Sequence, residues 1–196
     1  VVRCADNVTY IRHPWRVMLR NPFRRRARPL SNHHLLDSAH NAMRSQHWAL
    51  AARMFDAVLT EQPQSVPARI GRARCAMLQS QPAVAVGHLQ EAARAAPDNA
   101  AVARSLGVAL LAVDSLDAAS AELLRARTLE PGDPLTRLHL GQVRERQGQP
   151  LAAAQAYYRA LALAQARGQW LDRARTPAPL QPVILQAMDV VDRERR

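Results

Sequence analysis

Four histidines, His33, His34, His40 and His47, form the only histidine cluster in the sequence. His33 and His40 are seven residues apart, so on a helix they would share a face. Two imidazoles make an incomplete metal site, and a non-haem iron centre would also need a carboxylate beside its histidines. We therefore interpret these histidines as surface or groove residues and predict no metal.

Other catalytic patterns are missing from the sequence. It has no Gly-x-Ser-x-Gly, no His-Glu-x-x-His and no Lys, which removes phosphate-binding loops that end in Lys-Ser or Lys-Thr and Schiff-base mechanisms. Two cysteines, Cys4 and Cys75, are too few for a disulfide framework or a cysteine-only zinc site. The sequence therefore predicts no enzyme of its own and no cofactor.

The net charge of +11 is concentrated at the start of the chain. Residues 1–30 hold eight arginines and one acid, Asp6, whereas residues 31–196 hold nineteen arginines and fifteen acids. We predict a basic, disordered tail over 1–30 and expect nucleic acid to bind only through it. No apolar run approaches a membrane span of about 20 residues, and no secretory signal is visible, so we predict a cytoplasmic protein.

A repeat of 34 residues organises the rest of the chain. Pro63, Pro97 and Pro131 stand 34 residues apart, and Gln165 takes the fourth position. Three further positions recur at the same stride: a large apolar residue, an alanine four residues before it, and a small residue earlier in each unit. They are Phe55, Leu89, Leu123 and Tyr157; Ala51, Ala85, Ala119 and Ala153; and Ala39, Ala73, Gly107 and Gly141.

Candidate capping residues and prolines predict two helices in each unit. Asn32, Ser65, Asn99 and Asp133 stand where N-caps are expected, because a short side-chain acceptor satisfies a free N–H group. Pro67 and Pro134 would then open two helices. We predict first helices at 33–45, 67–79, 100–112 and 134–146, and second helices at 48–61, 82–95, 116–129 and 150–167.

This pattern resembles the tetratricopeptide repeat family, whose signature is Leu-Gly in the first helix, Ala-x-x-x-Phe in the second, and a final Pro. Unit two departs from it, since Arg72 replaces the leucine found at Leu106 and Leu140. The resemblance implies an all-α, right-handed α-solenoid with its first helices on the concave face. The predicted organisation is a tail (1–30), an array (31–168, with units near 32–65, 66–99, 100–133 and 134–167) and a linker with a capping helix (169–196).

In this family, inward-facing positions of the first helices contact a protein or peptide partner. Leu36 and Ile70 occupy positions that the family's clamp for chaperone C-termini would need, so we do not expect that ligand. Recurring arginines instead predict an extended peptide with acidic residues between apolar anchors, although these arginines could also be ordinary solvated side chains. The predicted groove residues are His40, Met43, Arg44, Arg74, Met77, Arg104, Val108, Leu138, Gln142 and Arg146, with Glu145 as the only acid at a groove position.

The end of the chain has a second resemblance. Gly-Gln-Trp-Leu at 168–171, Thr176-Pro177, and Met-Asp-Val-Val-Asp-Arg-Glu-Arg-Arg at 188–196 are similar to the N-terminal part of bacterial aspartyl/asparaginyl β-hydroxylase-type proteins. That resemblance implies an Fe(II)/2-oxoglutarate dioxygenase domain beyond Arg196. Two functions therefore stay open: a protein-interaction scaffold, or the non-catalytic repeat region of a dioxygenase. The partner and the oligomeric state cannot be named from the sequence.

Overall fold

The computed structural model describes residues 31–166, which contain eight α-helices and no β-strand. Each predicted helix is confirmed to within one residue at either end, except that the predicted end of the last one, residue 167, lies outside the described residues. The helices are α1 (Asn32–Arg44), α2 (Trp48–Glu61), α3 (Val66–Leu78), α4 (Pro82–Ala95), α5 (Ala100–Ala112), α6 (Leu116–Leu129), α7 (Pro134–Arg146) and α8 (Pro150–Ala166). The predicted tail (1–30), the end of the last repeat and the capping helix lie outside the described residues.

Two of the four predicted N-caps are confirmed by side-chain hydrogen bonds. The Asn99 side chain accepts from Val102 N, and the Asp133 carboxylate accepts from the backbone N–H groups of residues 135 and 136. Ser65 is the N-cap of α3 but makes no side-chain cap bond. The prediction for Asn32 is wrong, because α1 begins at this residue. Pro67 is likewise the second residue of α3 rather than the first.

The turn inside each unit is built in the same way in all four units. Gln46, Ser80, Asp114 and Gly148 have φ angles of 62°, 59°, 62° and 71°. The next residue donates its N–H to a carbonyl five residues earlier, as in His47 to Ala42 at 2.9 Å. This left-handed helix end satisfies free carbonyls and turns the chain back on itself. The sequence analysis missed the position because only the fourth unit has glycine there.

Contacts between the helices show why the array curves. Every helix packs against the next one in the chain, and the first helices also touch across units as α1–α3, α3–α5 and α5–α7. Within residues 31–166 the second helices of neighbouring units make no such contact. The first helices are therefore closer together and line the concave face, which confirms the predicted α-solenoid.

Small residues allow the helices of one unit to cross closely. A Cβ atom at Gly107 would lie 2.6 Å from Leu123 Cγ, and one at Gly141 would lie 2.4 Å from Tyr157 Cε1. Leu123 and Tyr157 are fully buried, and so are Phe55 and Leu89, which occupy the same repeat position in units one and two. The recurring large residue thus fills the space left by a small one on the facing helix. Within the described helices none is long and apolar enough to cross a bilayer.

Candidate peptide-binding groove

Two adjoining cavities open on the concave side of the array. The N-terminal cavity lies between α1 and α3 and is lined by Asp37, His40, Asn41, Met43, Arg44, Trp48, Arg74 and Leu78. The central cavity lies among α3, α5 and α7 and is lined by Ile70, Ala73, Arg74, Met77, Leu78, Leu89, Arg104, Ser105, Val108 and His139. Arg74 and Leu78 belong to both, so α3 forms the wall between them.

Most of the predicted groove residues come together around these cavities. The N-terminal cavity contains His40, Met43 and Arg44, the central cavity contains Met77, Arg104 and Val108, and Arg74 lines both. Three residues of α7 that were predicted with them are not among the lining residues of either cavity: Leu138, Gln142 and Arg146. The described groove is therefore centred on units one to three.

The four predicted groove arginines are not equivalent, because three of them have internal acceptors. Arg104 Nη1 lies 2.5 Å from Asp133 Oδ2, and Arg146 Nη2 lies 2.7 Å from Asp114 Oδ1. Arg44 donates to the Asn41 side chain. Arg74 is exposed, and no residue in the described part of the chain accepts a hydrogen bond from it.

The ion pair of Arg104 joins α5 to the N-terminal cap of α7. Burial opposes ionisation of the Asp133 carboxyl, but hydrogen bonds from Thr136 and Arg104 and the charge of Arg104 outweigh it, so the Asp133 pKa lies below its ordinary value. Because Asp133 also caps α7, Arg104 helps to hold α7 against α5. We therefore assign Arg104 a structural role first, even though it lines the central cavity.

The acidic residues of the groove differ from the prediction. Glu145 accepts a hydrogen bond from the Tyr157 hydroxyl at 2.7 Å, so its carboxylate is held toward α8. Asp37, which was not predicted, lines the N-terminal cavity and lies 3.0 Å from His33 Nδ1. The expectation of a single acid in the groove is therefore wrong for the N-terminal cavity. The central cavity has no acidic lining residue.

His139 is a lining residue that the sequence analysis missed. Its Nδ1 donates a hydrogen bond to Gln142 Oε1 at 2.9 Å. The side chain of Gln142, one of the predicted groove residues, is therefore engaged within α7. Burial, helped by the positive charge of Arg104, lowers the His139 pKa despite the hydrogen bond, so the ring is neutral at pH 7. His139 lies 34 residues after Ser105, another lining residue, so the repeat could have predicted its position. The residue type of Ser105 gave no reason to assign that position to the groove.

His40, near the start of the array, is held by contacts within the protein. His40 Nδ1 donates to the Leu36 carbonyl at 2.8 Å, and its ring stacks edge-on against Phe55 with centroids 5.4 Å apart. In residues 31–166 no group of three histidine, cysteine, aspartate or glutamate side chains could hold a metal ion. The described His40 is thus a packing residue at the edge of the groove.

A stack of helix pairs with a lined concave face defines the class of helical-repeat proteins. A model of the tetratricopeptide repeat matches residues 36–100, 78–134 and 104–168, which together cover more than half of the chain. The chain therefore belongs to the tetratricopeptide repeat family, as its sequence resemblance predicted. No curated protein matches it significantly.

Solved structures with the same fold are similar at low sequence identity. MamA (residue 41 to the end) from Desulfovibrio magneticus RS-1 is 21% identical with a TM-score of 0.63, covering 69% of this chain and 77% of that one. PilF from Pseudomonas aeruginosa is 20% identical with a TM-score of 0.64, covering 80% and 76%. The first repeat domain of Spaghetti (RPAP3), bound to the HSP90 peptide SRMEEVD, is 16% identical with a TM-score of 0.58, covering 60% and 93%.

Proposed function

We propose that this chain is a protein-interaction scaffold that binds an extended peptide with acidic and apolar residues in its concave groove. The observation that carries the proposal is the central cavity, where apolar side chains lie beside Arg74, Arg104 is already paired with Asp133, and no lining residue is acidic. A surface of this kind attracts acidic segments and buries their apolar side chains. The structurally similar repeat domain of RPAP3 is bound to the HSP90 peptide SRMEEVD, which combines acids with Met and Val. That likeness supports only an acidic and apolar composition of the ligand, because Leu36 and Ile70 stand at the positions of the clamp for chaperone C-termini.

Val108 and Val84 offer a matched pair for testing where the peptide binds. Val108 is half-buried in the central cavity, whereas Val84 is 40% exposed on α4 and lines neither cavity. We would select peptides from a random 12-residue display library on the whole immobilised chain. The selected peptides should lose binding to Val108→Arg, whose long side chain fills the space for an apolar anchor, and should bind Val84→Arg normally.

Folding of both variants is checked by thermal melting, and Arg74→Glu provides a second test that leaves the packing unchanged. Binding that survives both Val108→Arg and Arg74→Glu would place recognition outside the groove and overturn the proposal.

The dioxygenase alternative rests on residues 165–196, and all but 165 and 166 of these lie outside the described residues. It stays a prediction, and the gene sequence after Arg196 tests it directly. A continuing frame with paired histidines and a basic 2-oxoglutarate anchor would support it, and an immediate stop codon would refute it. Nucleic-acid binding by the tail also stays a prediction; it requires binding that disappears with residues 1–30 and weakens steeply with salt.

We also propose the division into a tail, an array and a C-terminal segment given above. Limited proteolysis should cut near residues 30 and 170 before it cuts within the array, because packed helices resist cleavage. Earlier cleavage between units would refute these boundaries.

A further inference from the structure

Resting on the proposed function, we propose that the ligand peptide places one carboxylate at Arg74, with a large apolar side chain on each side of it, one in each cavity. This proposal rests on the position of Arg74, which lines both cavities. A residue on the shared wall is in reach of the middle of any chain that crosses from one cavity to the other.

The wall between the cavities is one face of α3. Arg74 and Leu78 are four residues apart, so they lie one above the other on the helix surface. Both are exposed, and Leu78 shows 51% of its surface. The guanidinium therefore projects beside an apolar ridge that separates the two cavities.

The charges around the groove select Arg74 as the position for an acid. Arg44, Arg104 and Arg146 each have an acceptor inside the protein, and an incoming carboxylate would have to compete with it. Arg74 has no such acceptor in residues 31–166, so the N–H groups of its guanidinium can form two parallel hydrogen bonds to a carboxylate. A Gln in place of the acid would make a weaker, uncharged contact.

Apolar side chains on each side of the wall provide the two anchor positions. The N-terminal cavity offers Met43, Trp48 and the flank of Leu78. The central cavity offers Ile70, Met77 and Val108. Methionines repack around side chains of different shape, so each cavity favours a large apolar residue without selecting one type.

Helix spacing sets the distance between the acid and its apolar neighbours. The cavities lie on opposite sides of α3, and α1, α3 and α5 pack in succession. Packed helix axes are about 8–10 Å apart, and an extended chain advances about 3.3 Å per residue. A peptide crossing the array therefore places an anchor two or three positions from the acid on either side.

The test uses peptides recovered from the 12-residue library on the whole chain. We expect an acidic residue with large apolar residues two or three positions before and after it. For each of the strongest peptides, a synthetic isomer exchanges the acid with a terminal residue, so that composition and charge are unchanged. Fluorescence anisotropy then compares both forms on the wild-type chain, on Arg74→Gln, and on Arg94→Gln, an exposed arginine of α4 outside the two cavities.

The parent peptide should bind the wild-type chain and Arg94→Gln at least fivefold more tightly than its isomer, and this preference should vanish on Arg74→Gln. Selected peptides without the central acid, or a preference that persists on Arg74→Gln, would overturn the inference while the groove function stands. Failure to select any peptide over the bare support would overturn the proposed function, and the inference with it.

Discussion

Replacing Gly71 by alanine tests the packing of α3 against α2 at a single atom. A Cβ at this position would lie 2.3 Å from Phe55 Cζ and within 2.7 Å of two other ring atoms. Phe55 is fully buried and cannot swing into solvent. Carbon atoms in contact prefer about 3.5–4.0 Å, so the ring or the helix must shift by more than an ångström.

The expected magnitude follows from two opposing effects. Alanine in the middle of a helix gains about 1 kcal/mol over glycine. Overpacking a well-filled core costs about 1–3 kcal/mol, occasionally more, and three short ring contacts place this site at the upper end. Gly71→Ala should therefore lower the free energy of unfolding by about 1–2 kcal/mol.

Gly87 on α4 is the matched control, because a Cβ there would meet nothing within 4 Å. Gly87→Ala should stabilise the protein by about 0.5–1 kcal/mol. Urea unfolding followed by circular dichroism measures both changes, and Phe55→Leu should partly restore Gly71→Ala by making room. Equal shifts of the same sign for the two alanine variants would refute the packing argument.

Two further predictions concern the cap of α7 and the turns. Because the Asp133 pKa is lowered, its carboxylate stabilises the fold at pH values above the ordinary carboxyl pKa of about 3.9, and this stabilisation is lost as the pH falls through the folded-state pKa. Asp133→Asn should therefore be less stable than wild type at pH 7. The difference in free energy of unfolding between the two proteins should become smaller in unfolding curves measured at acid pH. Since non-glycine residues in the left-handed region cost about 1 kcal/mol, Gln46→Gly should raise the melting temperature and Gly148→Ala should lower it, and equal melting temperatures would contradict the turn geometry.

The helices and the crossings at Gly107 and Gly141 could be predicted because the repeat carries them. Each depends on a residue type that recurs every 34 positions, and sequence spacing alone then fixes the register. Gly71 could not be found in this way. Its partner, Phe55, comes from the preceding unit, and the glycine lies two residues before the small position that recurs, at Ala73.

The engaged arginines were beyond sequence reasoning for a different reason. Arg104 pairs with an acid 29 residues away and Arg146 with one 32 residues away, so neither pair follows the 34-residue stride. Which guanidinium reaches an acid depends on side-chain rotamers and on the loops between units. The repeat therefore predicted the groove positions but could not separate the available Arg74 from its occupied neighbours.

Unit two carries three arginines on α3, and two of them, Arg69 and Arg72, are engaged in ion pairs. Arg69 and Arg72 occupy positions where the repeat pattern expects apolar or aromatic residues, yet their side chains are only 11% and 17% exposed. Arg69 is paired with Glu91 of α4, and Arg72 lies 2.9 Å from Asp56 of α2.

These two ion pairs fix α3 to its neighbours on the side away from the groove and engage both acids in doing so. Arg74 follows two residues later on the concave face, where the central cavity has no acidic lining residue. Of the three arginines of α3, Arg74 is thus the one without an acceptor in residues 31–166, and it lies between the two cavities. Breaking one of these ion pairs offers a direct check. Arg72→Leu restores the residue that the family has at this position and releases Asp56 from its ion pair. If Arg74 alone provides the positive charge that the peptide contacts, the peptide affinity of this variant should equal that of the wild-type chain.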